Sequence, residues 1–87
     1  MHIAQAPHGI NVVVETERSV YVGRFGSIDG AQVLIHDAAV HTVRSTEDAE
    51  TFIRLTAKYG VPVEHRDLVF ETQGIRRVRK LGDVPKA

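Results

Sequence analysis

The sequence predicts a mainly β fold: a strongly bent, five-stranded antiparallel sheet with one α-helix inserted between the third and fourth strands. Short runs of β-branched residues recur along the chain, which is typical of strands. Residues 46–59 instead carry apolar residues at helical spacing. Gly23, Gly26 and Gly30 lie in or beside the second strand, where glycine often marks a bend. Together these observations favour a small open barrel.

The elements follow in chain order. Residues 1–9 show no periodicity, and we expect a loose N-terminal arm. The first three strands are predicted at residues 10–15, 19–25 and 31–43, with a break at 26–30 and a bend near 37–39. The fourth and fifth strands are predicted at 68–72 and 75–81, as a hairpin with a tight turn at 73–74, followed by a tail at 82–87.

The helix at 46–59 has a start and a stop signal. Ser45 is a typical N-cap, and Asp48, three residues on, can complete a capping box. Gly60 and Pro62 are typical of a helix end. The pattern predicts an apolar face that covers the barrel or recruits a partner; it comprises Phe52, Leu55 and Tyr59, with Ala49 and Ile53 beside them.

Composition narrows the function classes. A chain of 87 residues predicts one domain with a modest core. Without cysteines, oligomerisation is the common remaining way to stabilise so small a fold. Lys plus Arg and Asp plus Glu both number 11, so no overall field attracts nucleic acid or anionic lipid. No apolar run is long enough to span a membrane, and without a signal-peptide pattern we expect a cytoplasmic protein.

Two segments carry a resemblance to a known family. The first reads Val20-Tyr21-Val22-Gly23, then Asp29, then Leu34-Ile35-His36-Asp37-Ala38; the second is LVFETQGIRRVRKL, residues 68–81. In order and spacing, residues 12–43 and 68–81 resemble the first and second motifs of the Sm/LSm superfamily. The helix would then lie in the connection between strands three and four, which is the family's usual place for insertions.

The resemblance implies an SH3-like open barrel and a homo-oligomeric ring of roughly five to seven subunits. In this family the fourth strand of one subunit pairs with the fifth strand of the next. The expected interface residues are Leu68, Val69, Phe70, Ile75, Arg77 and Val78. Pairing would bury the apolar run LVFET and satisfy its backbone groups.

RNA is the partner that the family suggests, and the expected contacts are Asp29, Gln32, Arg77 and Arg79. The sequence departs from the RNA-binding pattern, however: Val33 replaces the family's asparagine, and Glu71 and Thr72 replace its Arg-Gly pair. A carboxylate there opposes RNA. The alternative is a ring that acts as a protein-interaction scaffold. Asp29 then has a structural role, accepting the N–H groups of Gly30 and Ala31 in its turn.

The basic run 76–80 has the same two interpretations. Val78 is expected to point inward, with Arg77 and Arg79 outward. They contact either phosphates or acidic groups of a neighbouring subunit (Glu64, Asp67 or Glu71), and the zero net charge favours the second.

Catalysis and bound metal find little support in the sequence. The five histidines include no pair at ligand spacing, so packed or solvated histidines are favoured over a metal site; a ring could still gather one histidine per subunit on its axis. There is no nucleophile elbow or phosphate-binding glycine loop. We expect no cofactor and no enzyme activity.

Overall fold

The computed structural model describes residues 1–85 and contains one sheet of five antiparallel strands and one α-helix. The mainly β prediction is confirmed at that level. The elements are β1 (Asn11–Glu15), β2 (Ser19–Asp29), β3 (Gln32–Thr42), α1 (Thr46–Tyr59), β4 (His65–Glu71) and β5 (Arg77–Lys80). Two short 3-10 helices, Ile3–Gln5 and Leu81–Asp83, flank them.

The strand order is β4-β3-β2-β1-β5, so the last two strands lie at opposite edges of the sheet. The predicted hairpin of strands four and five is therefore wrong. A turn does form at 73–74, but the chain then continues through residues 75 and 76 and joins β1. The chain can pass from β4 at one edge to β5 at the other because the sheet curls and brings its two edges together. Phe70 from one edge and Val78 from the other belong to the same core cluster.

The predicted break at 26–30 is also wrong, because β2 continues to Asp29 and turns tightly into β3. Gly30 has a φ of 59° and begins a two-residue loop, which is where type II′ hairpins require glycine. The irregularities are bulges inside the ladder, one at Gly26 and one at Asp37, where the register between β2 and β3 shifts. Asp37 has a φ of 47°, so the bend predicted near residues 37–39 is confirmed.

Two apolar clusters cover the two faces of the sheet. The inner cluster lies inside the curl and includes Val12, Val14, Phe25, Ile35 and Val78. The outer cluster lies under the helix and includes Val13, Val20, Val22 and Ile53. Because successive strand residues point to opposite faces, the three consecutive valines of β1 serve both clusters. One short strand thus joins the two halves of the core.

The helix bounds match the prediction, and Ser45 caps the helix by accepting the N–H of Asp48. The capping box is incomplete, since the Asp48 carboxylate accepts the N–H of Arg44 instead. The predicted face is rotated: Ala49, Ile53 and Thr56 are buried, whereas Leu55 and Tyr59 are 51% and 74% exposed.

Contacts at the first turns of the helix account for this rotation. Asp48 bonds to His41 and Glu50 bonds to Arg79, which turns Ile53 toward the sheet. The helix therefore covers the sheet, one of the two roles predicted for it.

The N-terminal arm, predicted to be loose, is packed. Ile3 and Ala6 belong to the inner cluster, because a short run of 3-10 helix points both into the open end of the curl. Val84 of the predicted tail packs in the outer cluster, and so does Leu81, which was predicted to end the fifth strand but begins the second 3-10 helix. The last two tail residues, 86 and 87, lie outside the described residues.

Candidate functional site: the two sheet edges

The outer edge of β4 carries backbone groups without a strand partner in the described chain. The N–H of Thr72 donates to Ala31, and residues of an antiparallel strand point alternately toward and away from a given neighbour. Phe70 and Leu68 therefore face β3, while the backbone groups of Glu71, Val69 and Asp67 face outward. Val69 is also an exposed apolar residue, so this edge offers both backbone and apolar contacts.

The outer edge of β5 is shorter. The N–H of Thr16 donates to Ser19, which sets the alternation of β1: Val14 bonds to β2, and Val13 and Glu15 bond to β5. Their partners, Arg79 and Arg77, consequently face β1 with their backbone groups. Those of Val78 and Lys80 face outward. Each edge strand therefore leaves alternate backbone groups available for one more strand.

The predicted interface residues divide by burial. Phe70 and Val78 are buried in the inner cluster, so neither side chain can meet another chain. The backbone groups of Val78 face outward, whereas those of Phe70 face β3. Leu68 and Ile75 are partly buried against the same cluster. Val69 and Arg77 are exposed, and their side chains are free to contact another subunit.

Two of the predicted RNA contacts lie together at the tip of the β2–β3 hairpin. Asp29 pairs with Gln32, and Gln32 lies opposite Glu71 of β4. Asp29 is exposed, and its carboxylate accepts none of the hydrogen bonds found in residues 1–85. The role proposed for Asp29 in its turn is therefore wrong: the positive φ of Gly30 forms the turn without it.

The other two predicted RNA contacts, Arg77 and Arg79, lie on β5 opposite Glu15 and Val13, at the other edge of the sheet. Arg79 donates to Glu15 at 3.2 Å and to Glu50 of the helix at 3.1 Å, and its side chain is only 17% exposed. Arg77 lies 3.8 Å from Glu15 and is 57% exposed. The acidic partners of both arginines thus belong to their own chain.

Two histidine–carboxylate pairs were not predicted from the sequence. His36 and Asp67 lie 2.6 Å apart and join β3 to β4. His41 and Asp48 lie 2.8 Å apart and join β3 to the helix, and the His41 ring also stacks on Phe52. Neither pair could be predicted from the sequence, because the two residues of each pair are distant in sequence or belong to different elements.

Two electrostatic features of the described residues bear on a metal or catalytic centre. The N–H of Arg44 lowers the pKa of the Asp48 carboxyl below its ordinary value, and the bond to His41 lowers it further. Across residues 1–85, no three His, Asp or Glu side chains come together as ligands for a metal ion. The two histidine–carboxylate pairs, His36–Asp67 and His41–Asp48, link neighbouring elements.

An open cleft of about 740 Å³ lies between the β1–β2 turn and the β4–β5 connection. The rings of Tyr21 and Phe70 stack at its base, 4.1 Å between centroids and nearly parallel. Arg76 and Glu17 form a loose ion pair at 3.7 Å on its rim. The charges on the rim balance, so the cleft favours neither anions nor cations.

No protein-family model matches the chain, and no curated protein matches it. In the part of the chain that the structure describes, no helix is long and apolar enough to cross a membrane.

Proposed function

We propose that this protein is an Sm-like homo-oligomer, in which β4 of one subunit pairs with β5 of the next and closes a ring. The observation that carries the proposal is the strand order β4-β3-β2-β1-β5. It leaves the two strands of the second family-like motif at opposite edges of one sheet. A head-to-tail contact between unlike edges closes into a ring when the rotation per subunit fits.

The chemistry of the edges supports this contact. The outward backbone groups of Asp67, Val69 and Glu71 would meet those of Val78 and Lys80 in an antiparallel pair. An unpaired edge strand readily accepts another strand, and Val69 would bury its exposed side chain at the junction.

Proline at position 69 tests the contact without breaking the internal ladder, because the N–H of Val69 faces outward. Val69→Pro should give monomers or short open chains, while Val69→Ala, which keeps the N–H, should still give rings. Native mass spectrometry and light scattering at micromolar concentration measure both. Circular dichroism must show that Val69→Pro is folded. A strictly monomeric wild-type protein would refute the ring.

We propose that the ring functions as a protein-interaction scaffold rather than as an RNA-binding ring. Glu71 lies opposite Gln32 at the hairpin tip, so a carboxylate stands beside one of the expected RNA contacts. Arg79 is engaged with Glu15 and Glu50, which leaves Arg77 as the exposed cation of the expected set.

Fluorescence anisotropy with U-rich and A-rich RNA at physiological salt separates these two functions. The scaffold predicts binding no tighter than about micromolar, the range of non-specific complexes. Binding tighter than this would establish the RNA function instead if the Arg77→Ser substitution weakens it and reduces the dependence of the affinity on salt concentration.

A further inference from the structure

The N-terminal segment lies against the edge of β5 that the proposed ring requires. The nitrogen of Met1 is 3.4 Å from the carbonyl oxygen of Val78. A groove of about 230 Å³ separates the two segments and is lined by Met1, His2 and Ile3 on one side and by Thr72 and residues 75–78 on the other. The arm therefore borders the strand along its outer side.

This contact matters because β5 is only four residues long. Of these, only Val78 and Lys80 present backbone groups outward, by the alternation described above. The Met1 contact occupies the carbonyl of Val78, so an incoming β4 strand and the arm compete for the same acceptor. Ile3, 3% exposed, holds the arm at this position.

The conformation of the arm is fixed by its own small set of bonds. The Nδ1 atom of His2 accepts the N–H of Ala4, and the side-chain oxygen of Gln5 accepts the N–H of His2. These two bonds form a capping box on the 3-10 helix. They are exposed and lie outside the core, so they can be removed without creating a cavity.

We propose that residues 1–5 form a gate on the β5 edge, which must move aside before the β4 strand of a second copy can pair there. The proposal rests on the ring of the preceding section and adds a regulatory step to it. When only a fraction of the molecules has the arm moved aside, the apparent affinity for an incoming strand is the intrinsic affinity multiplied by that fraction. Loosening the arm should therefore tighten strand pairing.

The test uses a fluorescently labelled peptide of residues 64–72, which carries the β4 strand. All proteins carry Val69→Pro, which disables their own β4 edge and leaves the β5 edge accessible. Added to this background, His2→Ala with Gln5→Ala should bind the peptide about tenfold more tightly, the effect of losing two hydrogen bonds from the closed arm. His65→Ala with Gln73→Ala is the matched control: it changes the same residue types outside the groove and should leave the affinity unchanged.

Equal peptide affinity of the Val69→Pro protein with and without the His2→Ala and Gln5→Ala substitutions would overturn the gate and leave the ring in place. The absence of any peptide binding, together with a monomeric wild-type protein, would overturn the ring and the gate with it. Circular dichroism of the protein with all three substitutions establishes that it is folded. Tighter binding in the control pair would also count against the gate, since the effect would then not be specific to the arm.

Discussion

Two glycines of β2 allow atoms of β3 to approach closely, and the neighbours differ between the two positions. A Cβ on Gly23 would lie 2.9 Å from the Cβ of Ala38 and 2.9 Å from the carbonyl oxygen of His36. A Cβ on Gly26 would lie 2.5 Å from a ring nitrogen of His36. The first obstacle includes backbone, which cannot rotate away. The second is a side chain, although the bond to Asp67 restrains it.

Gly23→Ala should therefore lower the free energy of unfolding by about 1–3 kcal/mol, the usual cost of forcing extra volume into a packed site. Urea denaturation followed by circular dichroism measures it. Gly82→Ala, where a Cβ would meet nothing within 4 Å, is the control and should stay within about 0.5 kcal/mol of wild type. Equal losses in the two variants would contradict a steric origin at Gly23.

Arg79 and Arg77 illustrate how neighbouring residues of one basic run acquire different roles. Arg79→Ser should cost about 2 kcal/mol, because it removes two charged hydrogen bonds that join β5, β1 and the helix. Arg77→Ser should cost less than about 1 kcal/mol, as is usual for an exposed ion pair. Urea denaturation of the two variants in parallel decides the matter, and similar losses would show that the partial burial of Arg79 is immaterial.

At the scale of elements, the helix is attached to the sheet near its first turns by polar contacts and along its length by apolar ones. Asp48 accepts bonds from Arg44 and His41 in front of the first turn, where negative charge also stabilises the helix dipole. Arg79 donates a hydrogen bond to Glu50, two residues after Asp48. Ile53 then enters the outer cluster.

The lowered pKa of Asp48 makes part of this attachment depend on pH. A carboxyl whose pKa is lower in the folded than in the unfolded protein stabilises the fold above its unfolded value, 3.8, and loses that contribution as pH falls through the folded value. Asp48→Asn should thus be less stable than wild type at pH 7, and the difference should shrink as pH falls below about 4.

Thermal denaturation between pH 2 and pH 7 measures this dependence. Asp29→Asn provides the control, since the Asp29 carboxylate makes no hydrogen bond within residues 1–85; it should follow wild type throughout. A stability difference for Asp48→Asn that is constant over the whole range would show that the charge of Asp48 is not involved.

For the molecule as a whole, local signals predicted the elements better than their arrangement. The cap at Ser45 and the stop at Gly60 fixed the helix bounds, because both act within a few residues. The partner of β5 was mistaken, because a short connection favours a hairpin unless the sheet curls far enough to bring β1 nearer. The arm at β5 and the pair His36–Asp67 depend on contacts distant in sequence, and no local pattern reveals them.

The arrangement that results should unfold as one unit, because both apolar clusters draw on the valines of β1. Ile53→Ala tests this, since it removes a fully buried side chain from the outer cluster and should cost about 2–5 kcal/mol. Helix content is followed at 222 nm and the inner cluster by the fluorescence of Tyr21, with the exposed Tyr59 replaced by Phe in both proteins.

In a two-state protein the two signals give coincident transitions, so Ile53→Ala should shift both midpoints equally. Tyr21 lies in the inner cluster, on the opposite face of the sheet from Ile53, so it reports damage that has crossed β1. If only the 222 nm transition moves, the helix unfolds by itself and the sheet keeps its core. The helix would then be a separable cover over a sheet that is stable without it.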